Sequence, residues 1–281
     1  MALMRVFVVV LVLLGVLSGC ASLGLGRDDT AAGQAARPGA RGDAGEAESI
    51  RTAARATAAA DGATVQVRSS GPARDRSITT TGSGVVDFRG RTSSTALRIS
   101  DLGRVDALAV GRTAFGALPP RAINDISRGR QWVSVELDGV DTGLFADTVI
   151  QLGSGITGNP ADLTTTLLAI RDDVVMVGPE TIDEVPTVHL RGDVDLAALR
   201  ALAPELGPVV DRLRTGVGLT TLPVDVWLDT EGKVRQVSET VVPGQATTTV
   251  TFTDLLPQAT VVAPPAEMVR DLFKELRARA G

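Results

Sequence analysis

The chain has 281 residues, 44% of them hydrophobic and 22% charged, with 1 Cys and a formal net charge of −5. The apolar content excludes a disordered protein, and a lone cysteine excludes an internal disulfide framework and a thiolate zinc site. With 33 Asp+Glu against 28 Lys+Arg, 0 Tyr and 2 Trp, a dedicated nucleic-acid binder is excluded too: a phosphate backbone is repelled on average and stacking platforms are scarce.

Arg5 precedes an unbroken apolar run over residues 6–17, and Leu17-Ser18-Gly19-Cys20 follows. As a helix the run is about 18 Å long against a hydrocarbon core of about 30 Å, so it reads as a secretory signal and not as a membrane span. The four residues ending in Cys20 resemble the lipobox of bacterial lipoprotein signal peptides, in which the cysteine becomes the first mature residue and carries the acyl chains. The resemblance implies a signal peptide over 1–19, lipidation at Cys20, and a protein held by its N-terminal acyl chains on the extracytoplasmic face of the cell membrane. Residues 20–47 are Gly, Ala, Arg, Asp and Pro with almost no large apolar side chain, a composition that buries no core and reads as a tether reaching on the order of 25–30 Å.

Structure is expected from 48 onwards. Residues 50–60 read as an Ala-rich helix stopped by Asp61-Gly62. Alternating, β-branched segments follow at 65–67, 79–88 and 95–99, with a tight turn at Arg89-Gly90-Arg91, and further strands are expected at 106–112 and 131–137. The period then changes: Leu144, Phe145, Val149, Leu152 and Ile156 fall at helical spacing. Asn159-Pro160 supplies an N-cap and a first-turn proline for a second stripe of Leu163, Leu167 and Ile170. Strands return at 173–178 and 184–192, short helices at 195–202 and 204–213, and strands at 222–229, 234–242 and 247–255. The spacing predicts an α+β fold, a curved antiparallel sheet of about ten strands covered on one face by the inserted helices.

The run Val177-Gly178-Pro179-Glu180-Thr181-Ile182-Asp183-Glu184-Val185-Pro186-Thr187-Val188-His189-Leu190-Arg191-Gly192 carries a family resemblance. So do Pro223-Val224-Asp225-Val226-Trp227-Leu228-Asp229 and the following Glu231-Gly232-Lys233-Val234. Over residues 48–264 the chain resembles the actinobacterial LppX/LprA/LprF/LprG lipoproteins, which are similar in fold to the LolA and LolB lipid carriers. The resemblance implies a half-barrel whose concave face, capped by helices, encloses the acyl chains of lipids or lipoglycans, with an envelope transporter as a candidate partner. Phe88, Leu97, Ile99, Phe145, Val149, Leu152, Leu163, Leu167, Val175, Val177, Val226 and Leu228 are the expected lining, their inward direction taken from hydrophobicity. The chain departs from the pattern at Glu184, where Gly is expected, and in 265–281, where Met268, Val269, Leu272, Phe273 and Leu276 predict an added amphipathic helix.

Catalysis has no candidate. His189 is the sole histidine, placed mid-strand as a hydrogen-bonded structural residue, and no G-x-S-x-G, P-loop or H-E-x-x-H motif occurs. Asp172, Asp173, Asp193 and Asp195 read as solvated turn carboxylates, because a hard-cation site needs about 6–8 converging oxygens. Neither metal nor cofactor is expected. The alternative function is a membrane-tethered interaction module with a packed, ligand-free core, since alternation serves a filled interior and a cavity equally.

Overall fold

The computed structural model describes residues 44–73, 76–100, 102–117, 119, 128–136, 159–242, 246–256 and 259–271. The signal, the lipobox and the tether to 43 lie outside them, as do Phe145, Val149 and Leu152. Among the described residues no helix is long and apolar enough to cross a membrane.

Helix α1, Ala44–Ala58, begins earlier than expected and takes up the end of the predicted tether. Alanine and glutamate favour helix intrinsically, and Ala47, Ile50, Ala53, Ala54 and Thr57 form a buried stripe at spacings of three and four that fixes the extra turn. The hydroxyl of Thr57 donates to the Ala53 carbonyl at 2.8 Å and accepts from the Val234 N–H at 2.9 Å, which pins the helix to the sheet.

The strands are β1 (Gly62–Ala73), β2 (Arg76–Asp87), β3 (Thr92–Ile99), β4 (Gly103–Val110), β5 (Thr113–Ala117), β6 (Trp132–Glu136), β7 (Val175–Ile182), β8 (Val185–Asp195), β9 (Thr221–Asp229), β10 (Val234–Val242), β11 (Ala246–Leu256) and β12 (Val269–Asp271). They form one sheet in the order β12-β6-β5-β4-β3-β2-β1-β11-β10-β9-β8-β7, curved and unclosed, with β12 and β7 at its edges. Every neighbouring pair is antiparallel except β12 with β6. Among the described residues, the short α-helices between β6 and β9 are α2 (Leu163–Leu167), α3 (Leu196–Leu202) and α4 (Gly207–Arg212). The Asn159 side chain accepts from the Ala161 N–H at 3.1 Å to open a 3₁₀ turn, Pro160–Asp162, ahead of α2. Asp195 accepts from the N–H groups of Ala197 and Ala198 at 2.7 and 2.9 Å to open α3.

Two strands go beyond the expected set. The segment read as one strand over 106–112 turns at Gly111, φ 57°, and returns as β5. At the carboxyl end the predicted helix does not start at 265. Ala266–Met268 is a 3₁₀ turn and Val269–Asp271 pairs with Trp132, Val133 and Ser134, so the unpaired hydrogen-bonding groups of the β6 edge outweigh the local helical period. Residues 272–281 lie outside the described residues.

Glycine is required by close approach at two positions of β2. A Cβ on Gly82 or Gly84 would overlap the backbone carbonyl of Ala96 or Ser94 on β3, so the two strands approach there as only glycine permits.

Candidate functional site

The inner face of the sheet, on which the helices lie, is the candidate site. Its residues follow from register, because Cα partners in an antiparallel pair put their side chains on the same face. Leu190, Val226, Val237, Val250 and Val67 run across β8, β9, β10, β11 and β1 in one inner row. With Val65, Phe252, Leu222 and Val224, and with the apolar sides of α1 to α4, they belong to one buried cluster. The Phe88 and Phe252 rings meet at 5.8 Å with a 53° tilt.

From β2 to β6 the inner face changes character. Val65 is followed across the sheet by Gly84, Thr95, Ala107, Gly116 and Val133. Four adjacent strands therefore present no inner side chain larger than threonine along that row. At about 4.8 Å per strand the row spans about 24 Å from Val65 to Val133. Thr95, Ala107 and Val133 are nonetheless buried. This part of the sheet, β2 to β6, is the wing; the rest is the helix-packed half.

A polar clasp ties the two together at one end. The Arg91 guanidinium, in the β2–β3 turn at φ 50°, donates to Asp162 Oδ1 from Nε at 2.9 Å and Nη2 at 2.7 Å, and pairs with Glu205 through Nη1. Asp162 is 1% exposed and also faces Arg112 at 3.8 Å, while the Asn159 amide donates to the Arg91 carbonyl at 2.8 Å. One carboxylate thus joins the β2–β3 turn, the β4–β5 turn and the start of α2.

The structure brings together Phe88, Leu163, Leu167, Val226 and Leu228 in the main cluster. Leu97 is buried on the wing's inner face, and Ile99 sits there in a smaller cluster with Ile78 and Val105. Val175 and Val177 do not join them. Val175 stands opposite Arg191, an outer-face residue, and Val177 is the extra residue at the β7 bulge, 48% exposed. Met176 takes the register position opposite inner Leu190 but, at the sheet edge, is 54% exposed. A bulge inverts the alternation on one side of itself, so hydrophobicity alone assigns these valines to the wrong face.

On the outer face of β7 to β9 the single histidine is fully engaged. His189 Nδ1 lies 2.8 Å from Glu180 Oε1 and Nε2 lies 2.6 Å from Asp225 Oδ1, and the ring stacks on Trp227 at 4.2 Å. The Trp227 indole N–H donates to Glu180 Oε2 at 2.8 Å, and Arg191 Nε donates to Asp225 at 2.8 Å. Hydrogen bonds from Trp227 and His189 hold the Glu180 carboxyl below its ordinary range. The quoted motif is thereby explained physically: its Glu, His, Asp and Trp staple three adjacent strands. The carboxylates expected in solvated turns are structural: Asp172 pairs with Arg51 at 2.6 Å, whereas Asp193 and Asp195 belong to strand β8, Asp195 capping α3 and burial raising the Asp193 carboxyl.

No family model matches the chain, and no curated protein matches it. Among solved structures it is similar to the lipoprotein LppX of Mycobacterium tuberculosis, at 16% identity and TM-score 0.48, covering 78% of this chain and 100% of that one. It is similar to LprF from Mycobacterium bovis at 16% identity and TM-score 0.41, covering 79% and 97%. A putative outer membrane lipoprotein-sorting protein domain from Vibrio parahaemolyticus matches at 10% identity and TM-score 0.29, over 74% and 92%. At such scores the architecture stands on its own strand order and not on these neighbours.

Proposed function

We propose that the protein is an envelope lipoprotein, tethered through acylated Cys20, that holds the acyl chains of a lipid or lipoglycan against the inner face of its half-barrel and carries them between envelope sites. The observation behind this reading is the row Gly84, Thr95, Ala107, Gly116, an apolar or weakly polar strip that keeps side-chain volume low across the wing. An acyl chain needs area and no hydrogen bonds, so aliphatic walls without tyrosine suit it. Burying a sixteen-carbon chain is worth roughly 12 kcal/mol against water at about 0.8 kcal/mol per methylene, before ordering costs. Against a bilayer nearly all of that cancels, which makes exchange near-neutral and suits a carrier. No catalytic role is part of the proposal, and an envelope transporter fits as donor or acceptor.

The continuous cluster on the helix-packed half favours a second reading, a tethered interaction module with a filled interior. Mass spectrometry of organic extracts of the purified Cys20→Ala chain separates the two, together with uptake of a fluorescent acyl probe. Reproducible co-purifying lipid and saturable uptake support the carrier; absence of both leaves the module. Cys20→Ala in the native host is expected to lose membrane retention, and unchanged processing and retention would sink the anchor.

A further inference from the structure

The outer face of the wing, together with the adjoining β1, carries a charge array that neither the fold nor the cargo site uses. Arg68 on β1 stands opposite Thr81 on β2, Thr81 opposite Arg98 on β3, and Arg98 directly opposite Arg104 on β4. All four are exposed. Three guanidinium groups therefore lie in one line over three strand spacings, about 14 Å. Like charges directly opposite across an antiparallel pair destabilise it, so the Arg98/Arg104 pair works against the sheet that bears it. Asp106 relieves Arg104 alone, at 3.0 Å, whereas neither Arg68 nor Arg98 has an ion-pair or hydrogen-bond partner among the described residues. Beside the row, Thr81 and Ser83 border a shallow open depression of about 240 Å³ that reaches Arg98 and Arg104. In a chain of net charge −5 this is a local reversal of sign.

We propose that this row is a membrane-docking surface that lays the outer face of the wing on anionic phospholipid headgroups. The array is extended and convex, with hydroxyls between the cations, and so matches a plane of many phosphates better than one small anion. Nucleic acid is disfavoured by the absence of aromatic residues from the row. Residues 20–43 connect the proposed acylation point to α1, and a Gly/Ala-rich composition of that length predicts a reach of about 27 Å, enough to let this face turn toward the bilayer. The inference takes the tether from the proposed function but is independent of the cargo.

The test is co-sedimentation of the full chain carrying Cys20→Ala, so that no acyl anchor attaches, with phosphatidylglycerol-containing and pure phosphatidylcholine vesicles. Residues 6–17 contribute alike in every variant, so the reading is the preference for the anionic vesicle. That preference is expected to fall about fivefold for each guanidinium neutralised in R68Q, R98Q and R104Q, and to weaken with added salt. R55Q, which removes an equal charge from α1, is expected to leave it unchanged. Thermal unfolding checks the variants: R98Q relieves a like-charge pair and is expected not to lower Tm, and should the triple variant fail to fold, R98Q alone carries the vesicle reading. Equal partition into both vesicles, a preference that survives neutralisation, or displacement by millimolar inorganic phosphate would each overturn the proposal, the last by showing a single-anion site. None of these results bears on acyl-probe uptake, which reads the cargo separately.

Discussion

The helix-packed half and the wing are parts of one sheet, yet they are built from different side chains. Across β8 to β11 and β1 one inner row is Leu and Val throughout, and α1 to α4 share its buried cluster. In the wing the row from Val67 runs through Gly82 to Leu97 and Val105, and the adjoining row from Val65 falls to Gly, Thr, Ala and Gly across β2 to β5. The first is a core that stabilises by area removed from water, and the second keeps a wall whose volume is set by the backbone. A sheet can thus hold one half rigid against helices while the other half is kept low, and the Asp162 clasp is where the two are fastened.

The strongest way to break that division is to remove the fastening. Arg91→Ala removes both of its hydrogen bonds to the buried Asp162 carboxylate, and breaking a buried charged pair from one side costs about 3–5 kcal/mol. Chemical denaturation should show that loss, and a change under 1 kcal/mol would mean that the halves do not depend on the clasp. Next come paired substitutions that sharpen the contrast. Leu222→Ala, in the helix-packed half, is expected to cost about 2–5 kcal/mol with little effect on acyl-probe uptake. Ala107→Leu, in the wing, is expected to cost less and to reduce uptake several-fold by occupying the strip. If Ala107→Leu instead costs about 1–3 kcal/mol and leaves uptake intact, the wing is a packed core like its counterpart.

Smaller effects come from the β7–β8 hairpin at the edge of the helix-packed half. Asp183 and Glu184 both lie at positive φ, 48° and 66°, the geometry of a two-residue turn that favours glycine. Glu184→Gly is therefore expected to raise stability by about 1 kcal/mol, visible as a higher Tm, and an unchanged or lower Tm would remove strain as the account of this position. The smallest effect is a pH dependence. Glu180 titrates lower in the folded protein than in the unfolded chain, so in that interval the unfolded chain binds more protons. Its contribution is fully present above the unfolded value of about 4.3 and is lost as pH falls through the folded value. Denaturation curves below pH 5 should show a shallower acid loss in Glu180→Gln, and parallel curves would assign the acid sensitivity elsewhere.

Much of this was legible because the signals are local. The alternation through residues 222–229 identifies an inner and an outer face, and Asn159-Pro160 marks a helix start where the side chain does cap. What escaped depends on partners remote in sequence. β5 is a five-residue strand of Thr, Ala, Phe, Gly and Ala, of weak β-propensity, that exists because β4 and β6 flank it. β12 has a helical period and becomes a strand only because an edge awaits it. Val175 and Val177 were misplaced by a bulge that no composition reveals. The His189 staple joins residues from three strands, so the sequence exposes its members without their geometry.

The seam between β1 and β11 sets the order in which the molecule can assemble. Gly62 pairs with Leu256 there, so the first and last long strands of the sheet are neighbours. While the chain emerges N-terminus first, β1 to β6 can form as a run of hairpins, yet β1 keeps a bare edge until β11 arrives. Closure across so long a span makes this the slow, entropy-limited step and leaves an open strand edge exposed meanwhile. If the chain is exported as proposed above, this seam closes only on the far side of the membrane, after both strands have crossed.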